Sequence, residues 1–176
     1  LLLVTDRRNV RYLTGFTGTN GQLLLGPDAA GDRLITDARY DDRAATESPA
    51  LDRILDRDPV GAVLPLLAAG TCLLVEDHDL SWAAARDLLE RAAATDVEVV
   101  GAGRVVEEMR EIKDQAEIER LSTACRLTEE GLEWLATEVV APGRTERELA
   151  VRLERHFIDR GADAIAFPSI VASGPN

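Results

Sequence analysis

The sequence lacks any long hydrophobic run, and this absence bears on where the protein works. Its longest apolar stretch, Val60 to Gly70, is interrupted by Pro65 and is far shorter than the ~20 residues that a membrane-spanning helix needs. The opening residues, Leu1 to Val4, lack the basic region and the cleavage site of a signal peptide. We therefore expect a cytoplasmic protein with no membrane partner.

Cysteine and histidine are also scarce. Cys72 and Cys125 are far apart and form no CxxC motif, so we expect two buried thiols in a reducing compartment rather than a disulfide framework. His78 and His156 are equally isolated, and we expect surface or capping roles for them rather than metal ligation. No Ser/His/Asp or Cys/His triad has motif support.

Basic residues are the minority charge: 20 Lys and Arg stand against 32 Asp and Glu in 176 residues, a net charge of −12. This balance argues against nucleic acid as a partner, because a protein that tracks phosphates needs clustered Lys and Arg. With 45% hydrophobic and 30% charged residues, the composition is that of a soluble globular chain. Its length suits one domain, or a small domain and part of another.

Two local patterns resemble binding motifs but have simpler interpretations. The glycines at positions 15, 18 and 21 lead into a strand and lack a following Lys-Ser/Thr, so we expect a turn rather than a phosphate-binding loop. The aspartates at positions 37, 41 and 42 alternate with arginines and have no accompanying histidine, which favours a strand end and a charged helix start over a hard-metal site. Within this segment, Arg39 and Tyr40 are a candidate recognition pair, since Arg binds carboxylates through two parallel hydrogen bonds.

Short apolar runs alternate with helical patterns over the first hundred residues. We predict strands over 23–25, 34–36, 71–75 and 97–100, with 1–4 as a further candidate. We predict helices over 41–47, from Pro59 towards Ala69, and over 82–94 with Ser81 as the N-cap. Strands interleaved with helices indicate an α/β fold with helices flanking a sheet.

The sequence changes character after Gly103 and becomes dense in Glu and Arg. Capping-box patterns at Asp114 and Thr145 predict the starts of two helices, and Gly161 is a natural end for the second. An apolar stripe marks the first of these helices, and the run 167–171 is a predicted strand. The glutamates at 107, 108 and 111 are expected on a solvated helix face. We predict domains over 1–103 and 104–176, the second incomplete.

Four stretches, in order, resemble motifs of one peptidase family. They are NVRYLTGFTGTNG (9–21), TDARY (36–40), REIKDQAEI (110–118), and the pair PGRTE (142–146) and IVASGPN (170–176). The chain is similar to Xaa-Pro aminopeptidases and prolidases of peptidase family M24, although Thr19 replaces a serine and Ala38 replaces a glycine of the family pattern.

The resemblance implies a creatinase-type N-terminal α/β domain with a mixed sheet flanked by helices. The start of an α+β pita-bread metallopeptidase domain would follow. It also implies an enzyme that removes the residue before proline from peptides with proline in the second position, using two bridged divalent metal ions, commonly manganese. The family's metal ligands and catalytic histidines lie downstream of IVASGPN, so no catalytic or metal-binding residue is expected in this segment, which should be inactive alone.

Other roles implied by the resemblance are more limited. Arg39, Phe167 and Ile170 are candidate substrate-binding residues, with core packing as the competing role for the last two. Homodimers or larger homo-oligomers are also implied, because the family's N-terminal domain contributes to oligomers. Three readings stay open: an Xaa-Pro dipeptidase, a creatinase-like hydrolase of a small C–N substrate, and a non-catalytic creatinase-fold binding or assembly module.

Overall fold

The computed structural model describes residues 1–174 and divides the chain into two compact units, Leu1–Glu111 and the residues from Ile112 onward. This division lies beyond the expected boundary after Gly103. The helix that follows Gly103 explains the shift, because Val106 is 2% exposed and packs in the hydrophobic core of the first unit. No helix within residues 1–174 is both long and apolar enough to cross a membrane.

The first unit is a six-stranded mixed sheet with five helices. The strands are β1 (Leu2–Val4), β2 (Gly21–Leu25), β3 (Arg33–Thr36), β4 (Asp52–Leu55), β5 (Cys72–Val75) and β6 (Glu98–Gly101). The helices are α1 (Arg7–Thr14), α2 (Asp41–Glu47), α3 (Pro59–Val63), α4 (Trp82–Ala93) and α5 (Val105–Glu111). Each strand and helix predicted from the first hundred residues is present, and the α/β fold class is confirmed.

Pairing in the sheet follows the order β4-β3-β2-β1-β5-β6. The central strands β1, β2 and β3 are antiparallel neighbours, whereas β4, β5 and β6 are added in parallel at the two sides. Parallel neighbours require crossover connections, and helices supply them here. This is the mixed sheet flanked by helices that the sequence led us to expect.

Two hydrophobic clusters cover the two faces of the sheet. Successive strand residues point to opposite faces, and Leu3 and Val4 accordingly belong to different clusters. One cluster includes residues of α3 and α4, and the other includes Val10 of α1, Ala44 of α2 and Val106 of α5. The sheet is therefore buried on both sides by helices.

Two elements of the first unit were not predicted. Helix α1 begins at the N-cap Asp6, whose carboxylate accepts from the backbone N–H groups of Arg8 and Asn9, and it ends at Gly15 with φ +78°. Strand β4 is an edge strand whose residues are mostly exposed, so it carries no apolar run. The helix from Pro59 is short, because Pro65 cannot continue it and the chain becomes a 3-10 turn over Leu64–Leu66.

The second unit contains two helices within the described residues. These are α6 (Gln115–Trp134), continued by a π-helical turn over Leu135–Val139, and α7 (Glu146–Asp159). Both predicted capping boxes are present, and Gly161 has φ +96° beyond the end of α7. Gly131 allows the helices to approach, since a Cβ there would overlap the ring of Phe157.

Two expectations were wrong. The run 167–171 is not a strand, because the described part of the second unit holds no strand to which it could hydrogen bond. Cys72 and Cys125 are free thiols, as expected, but both are exposed rather than buried. Cys125 belongs to the apolar stripe of α6, which is exposed at Ile118, Leu121 and Leu132 within this unit.

Candidate functional site

The first two family motifs meet at one end of the sheet. Strands β2 and β3 pair with Gly21 opposite Thr36, which places Asn20 beside Asp37. The Thr36 hydroxyl donates to the carbonyl of Asn20, and the Asn20 amide donates to Asp37 Oδ2 at 2.7 Å. Two segments that are separate in the sequence thereby form one hydrogen-bonded unit around a buried carboxylate.

Asp37 anchors the side chain of Arg39. Its side chain is 1% exposed and accepts from Arg39 Nε at 2.8 Å and from Arg39 Nη2 at 2.7 Å. These bonds from Arg39, with a smaller effect of the Asn20 amide, hold the pKa of the Asp37 carboxyl well below its usual range. The carboxylate therefore stays ionised and fixes the guanidinium in a two-point contact.

Arg39 is presented to solvent in spite of this anchor. Its side chain is 68% exposed, and Asp37 engages only two of the five N–H donors of the guanidinium. The hydrogen bond and the charge of Asp37 raise the pKa of Arg39, so the group is always cationic. The arrangement can bind a further carboxylate without reorganising the arginine.

The ring of Tyr40 is fixed beside this arginine. The ring of Tyr40 lies edge-on to that of Phe16, with the ring centroids 5.9 Å apart. The Tyr40 hydroxyl forms a hydrogen bond with the Thr19 hydroxyl, and this bond lowers the pKa of Tyr40. The Arg39 guanidinium carbon lies 5.5 Å from the centre of the Tyr40 ring. Arg39 and Tyr40 therefore lie side by side, with the ring as a rigid support for the guanidinium.

The glycines of the first motif serve packing. Phe16 is 1% exposed, and a Cβ at Gly21 would lie 2.6 Å from its Cε1 atom. A Cβ at Gly18 would overlap the same ring. Gly15 is the left-handed residue that ends α1. These roles support the prediction of a turn that leads into β2.

The other two predicted site residues lie in the second unit. Phe167 is 70% exposed and Ile170 is 89% exposed, on the irregular segment after α7. Neither is part of a hydrophobic core within the described residues, so core packing does not account for them there. The segment is tied back to its own unit by the backbone N–H of Ser169, which donates to Glu154.

A buried polar network was missed at the sequence level. Asn9 is 0% exposed, and its amide donates to Glu76 at 2.6 Å and to Glu107 at 2.9 Å. Glu107 also contacts His78 Nε2 at 2.8 Å, and Asn9 Oδ1 accepts from Arg110. The expectation that Glu107 lies on a solvated face was wrong, because its side chain is only 22% exposed. The sequence signal for this network was Asn9, a polar residue next to the apolar Val10 on the buried side of α1.

Comparison with known proteins identifies the family. Residues 1–112 match the family model of the creatinase/prolidase N-terminal domain. The chain belongs to the creatinase/prolidase family. Residues 119–176 match the model of metallopeptidase family M24, in agreement with the motifs on either side of α7.

Relatives of this creatinase/prolidase chain include proteins named as peptidases. It is 31% identical to the uncharacterized peptidase YqhT of Bacillus subtilis, over 98% of this chain and 48% of that protein. An Xaa-Pro dipeptidase structure from Bacillus anthracis superposes with a TM-score of 0.79 at 25% identity, over 93% of this chain and 45% of that one. An X-Pro aminopeptidase structure from Thermotoga maritima superposes with a TM-score of 0.79 at 25% identity, over 95% of this chain and 48% of that one. The chain thus spans about half the length of these relatives.

The residues described in this creatinase/prolidase chain do not fit a bridged metal pair. Within residues 1–174, the side chains of Glu76, His78 and Glu107 offer ligand atoms within 4.8 Å of one another. Both oxygens of Glu76 already accept N–H groups, from Asn9 and from the backbone of Thr5 and Asp6. Two glutamates and one histidine are also too few side chains to hold two metal ions. The cluster is a hydrogen-bonded structural element.

Proposed function

We propose that this chain belongs to a metal-dependent Xaa-Pro aminopeptidase, which hydrolyses the bond between an N-terminal residue and proline. The observation that supports this most directly is the M24 match over residues 119–176, next to a creatinase/prolidase N-terminal domain. An Xaa-Pro dipeptidase is the second candidate, because a relative with that name has the same fold over 93% of this chain.

Arg39 is proposed to bind the substrate. Its exposed guanidinium is held at two points by the buried Asp37, which leaves donors free for a peptide carboxylate or carbonyl. Within the second unit, Phe167 and Ile170 are proposed as apolar contacts for the proline ring of the substrate, because both side chains are exposed there.

The remaining parts of the proposal concern the whole protein. Two divalent metal ions, with manganese as the expected metal, would be held by residues outside this chain. The protein would be a homodimer or a larger homo-oligomer in the cytoplasm. The two free, exposed thiols Cys72 and Cys125 suit a reducing compartment.

The activity is tested on the full-length protein after removal of metals by chelation. We expect added Mn²⁺ to restore release of alanine from Ala-Pro-Ala, and no release from Ala-Ala-Ala. Hydrolysis of Ala-Pro but not of the tripeptide would favour the dipeptidase. Absence of cleavage of both proline peptides, with any divalent metal, would refute the peptidase and favour the non-catalytic module.

The role of Arg39 is tested with R39A, and R57A is the matched control. Arg57 is an exposed arginine of the same unit that belongs to neither motif and lies two residues after the end of β4. We expect R39A to raise KM about tenfold or more with little change in kcat, since an interaction made equally in ground and transition states affects binding alone. R57A should match the wild type. An unchanged KM in R39A would refute the substrate-binding role.

A further inference from the structure

Helix α1 carries three arginines on one side. At about 100° per residue, Arg7, Arg8 and Arg11 fall within an arc of about 100°, directed away from the buried Asn9. All three are exposed, and none forms an ion pair with another described residue of the chain. A protein of net charge −12 thus keeps three positive charges together on one short helix, and the carboxylate of Glu47 acts electrostatically on one of them, Arg11.

These arginines line one cleft of about 620 Å³, which they share with Thr17 and Gly18 of the first motif. Two aspartates also lie along it, but both accept hydrogen bonds from the protein. Asp6 caps α1, and Asp79 accepts from the hydroxyl of Thr5. Three guanidinium groups against these two carboxylates leave the cleft with an excess of positive charge.

The charge and the size of the cleft define the class of ligand. Guanidinium groups bind carboxylates through paired hydrogen bonds, and three of them within two turns of helix match a run of acidic side chains. A volume of this order holds several residues of a peptide rather than a single small anion. A nucleic acid fits less well, because a protein that tracks a phosphate backbone needs more clustered Lys and Arg than these three residues supply.

We propose that this cleft is a docking site for an acidic segment of another polypeptide, rich in Asp and Glu. The segment would lie along α1 with its carboxylates on Arg7, Arg8 and Arg11. This inference is independent of the proposed peptidase activity, because the acidic segment is not a substrate and needs no proline.

The test measures binding of labelled peptides to the full-length protein by fluorescence anisotropy. The probe is fluorescein-labelled octaglutamate, compared with octaglutamine and with an eight-nucleotide single-stranded DNA. We expect octaglutamate to bind, with an affinity that falls as salt rises, and the other two probes to bind at least tenfold more weakly. Equal binding of octaglutamine, or tighter binding of DNA, would overturn the proposal.

Two charge-matched triple variants localise the binding. R7Q/R8Q/R11Q should weaken octaglutamate binding about tenfold, because exposed ion pairs each contribute modestly. R57Q/R120Q/R147Q removes the same three charges from exposed positions elsewhere and should bind as the wild type does. Circular dichroism confirms folding, and R7K/R8K/R11K, which keeps the three charges, should retain more affinity than R7Q/R8Q/R11Q. Equal losses in the two glutamine triples would show a non-specific charge effect and refute the site.

Discussion

Removal of the Asn9 side chain is expected to destabilise the first unit strongly. The Asn9 amide is 0% exposed and donates to two glutamates, at 2.6 Å to Glu76 and at 2.9 Å to Glu107. Its carbonyl accepts from Arg110 at 2.7 Å. In N9A, two carboxylates lose the amide group that bridges them, and one of these carboxylates, Glu76, is only 2% exposed.

The size of the effect follows from the number of bonds and from the partners that remain. A hydrogen bond to a charged group contributes about 1.5–3 kcal/mol, and an acceptor left unpaired in the interior costs a similar amount. The Asn9 amide donates to Glu76 Oε1, whereas the other donors to Glu76 bind Oε2, so the loss of the Asn9 bond counts in full. Glu107 and Arg110 each keep another contact. With these two bonds counted at half weight, N9A should lose about 3–6 kcal/mol.

Hydrogen exchange followed by mass spectrometry measures this loss within the first unit. Peptides from β1 and β5 should exchange faster in N9A by a factor that corresponds to the lost free energy. Q115A is the matched control, because Gln115 is an exposed amide that donates to Glu119 at i+4, a bond worth about 0.2–0.5 kcal/mol. A loss below 1 kcal/mol in N9A, or a loss equal to that of Q115A, would refute the reasoning.

Two further predictions concern the motif that surrounds Phe16. G21A should lower the free energy of unfolding by about 1–3 kcal/mol, because the added methyl group would overlap Phe16. The smaller side chain of F16L should relieve part of this loss. Additive effects in a double-mutant cycle measured by urea unfolding would contradict the packing role. Glu47 accepts from the backbone N–H and the hydroxyl of Thr17, which lower its pKa. Its stabilising contribution is therefore present above the ordinary pKa of a glutamate and is lost as the pH falls through the lowered value. In E47Q, the free energy of unfolding should therefore fall less steeply as the pH is lowered through this range. The same pH dependence in E47Q and in the wild type would contradict this prediction.

Much of the fold is predictable because its signals are local. Ser81, Asp114 and Thr145 each begin a helix by accepting a backbone N–H group, and this chemistry requires only the next three residues. The buried strands are short apolar runs between turn residues. These features need no knowledge of what lies next to them in space.

The elements that were missed depend on distant neighbours. Strand β4 reads Asp-Arg-Ile-Leu, and it is a strand because β3 offers its edge for parallel pairing. Glu107 has the local pattern of a solvated helix face, yet Asn9 and His78 contact it from far away in the sequence. The reverse holds for Phe167, where an extended apolar run predicts a strand but finds no partner among the described residues.

The position of Arg39 illustrates how a remote constraint sets a functional residue. Its anchor Asp37 meets Asn20 only because β2 and β3 pair with Gly21 opposite Thr36. A shift of one residue in that register would move Leu34 and Ile35 to the opposite faces of the sheet, and each is buried in a different core cluster. The fit of these two side chains in their own clusters, together with the hydrogen bonds from Thr36 to Asn20 and from Asn20 to Asp37, therefore favours the observed register, and the register places the buried carboxylate that holds the guanidinium.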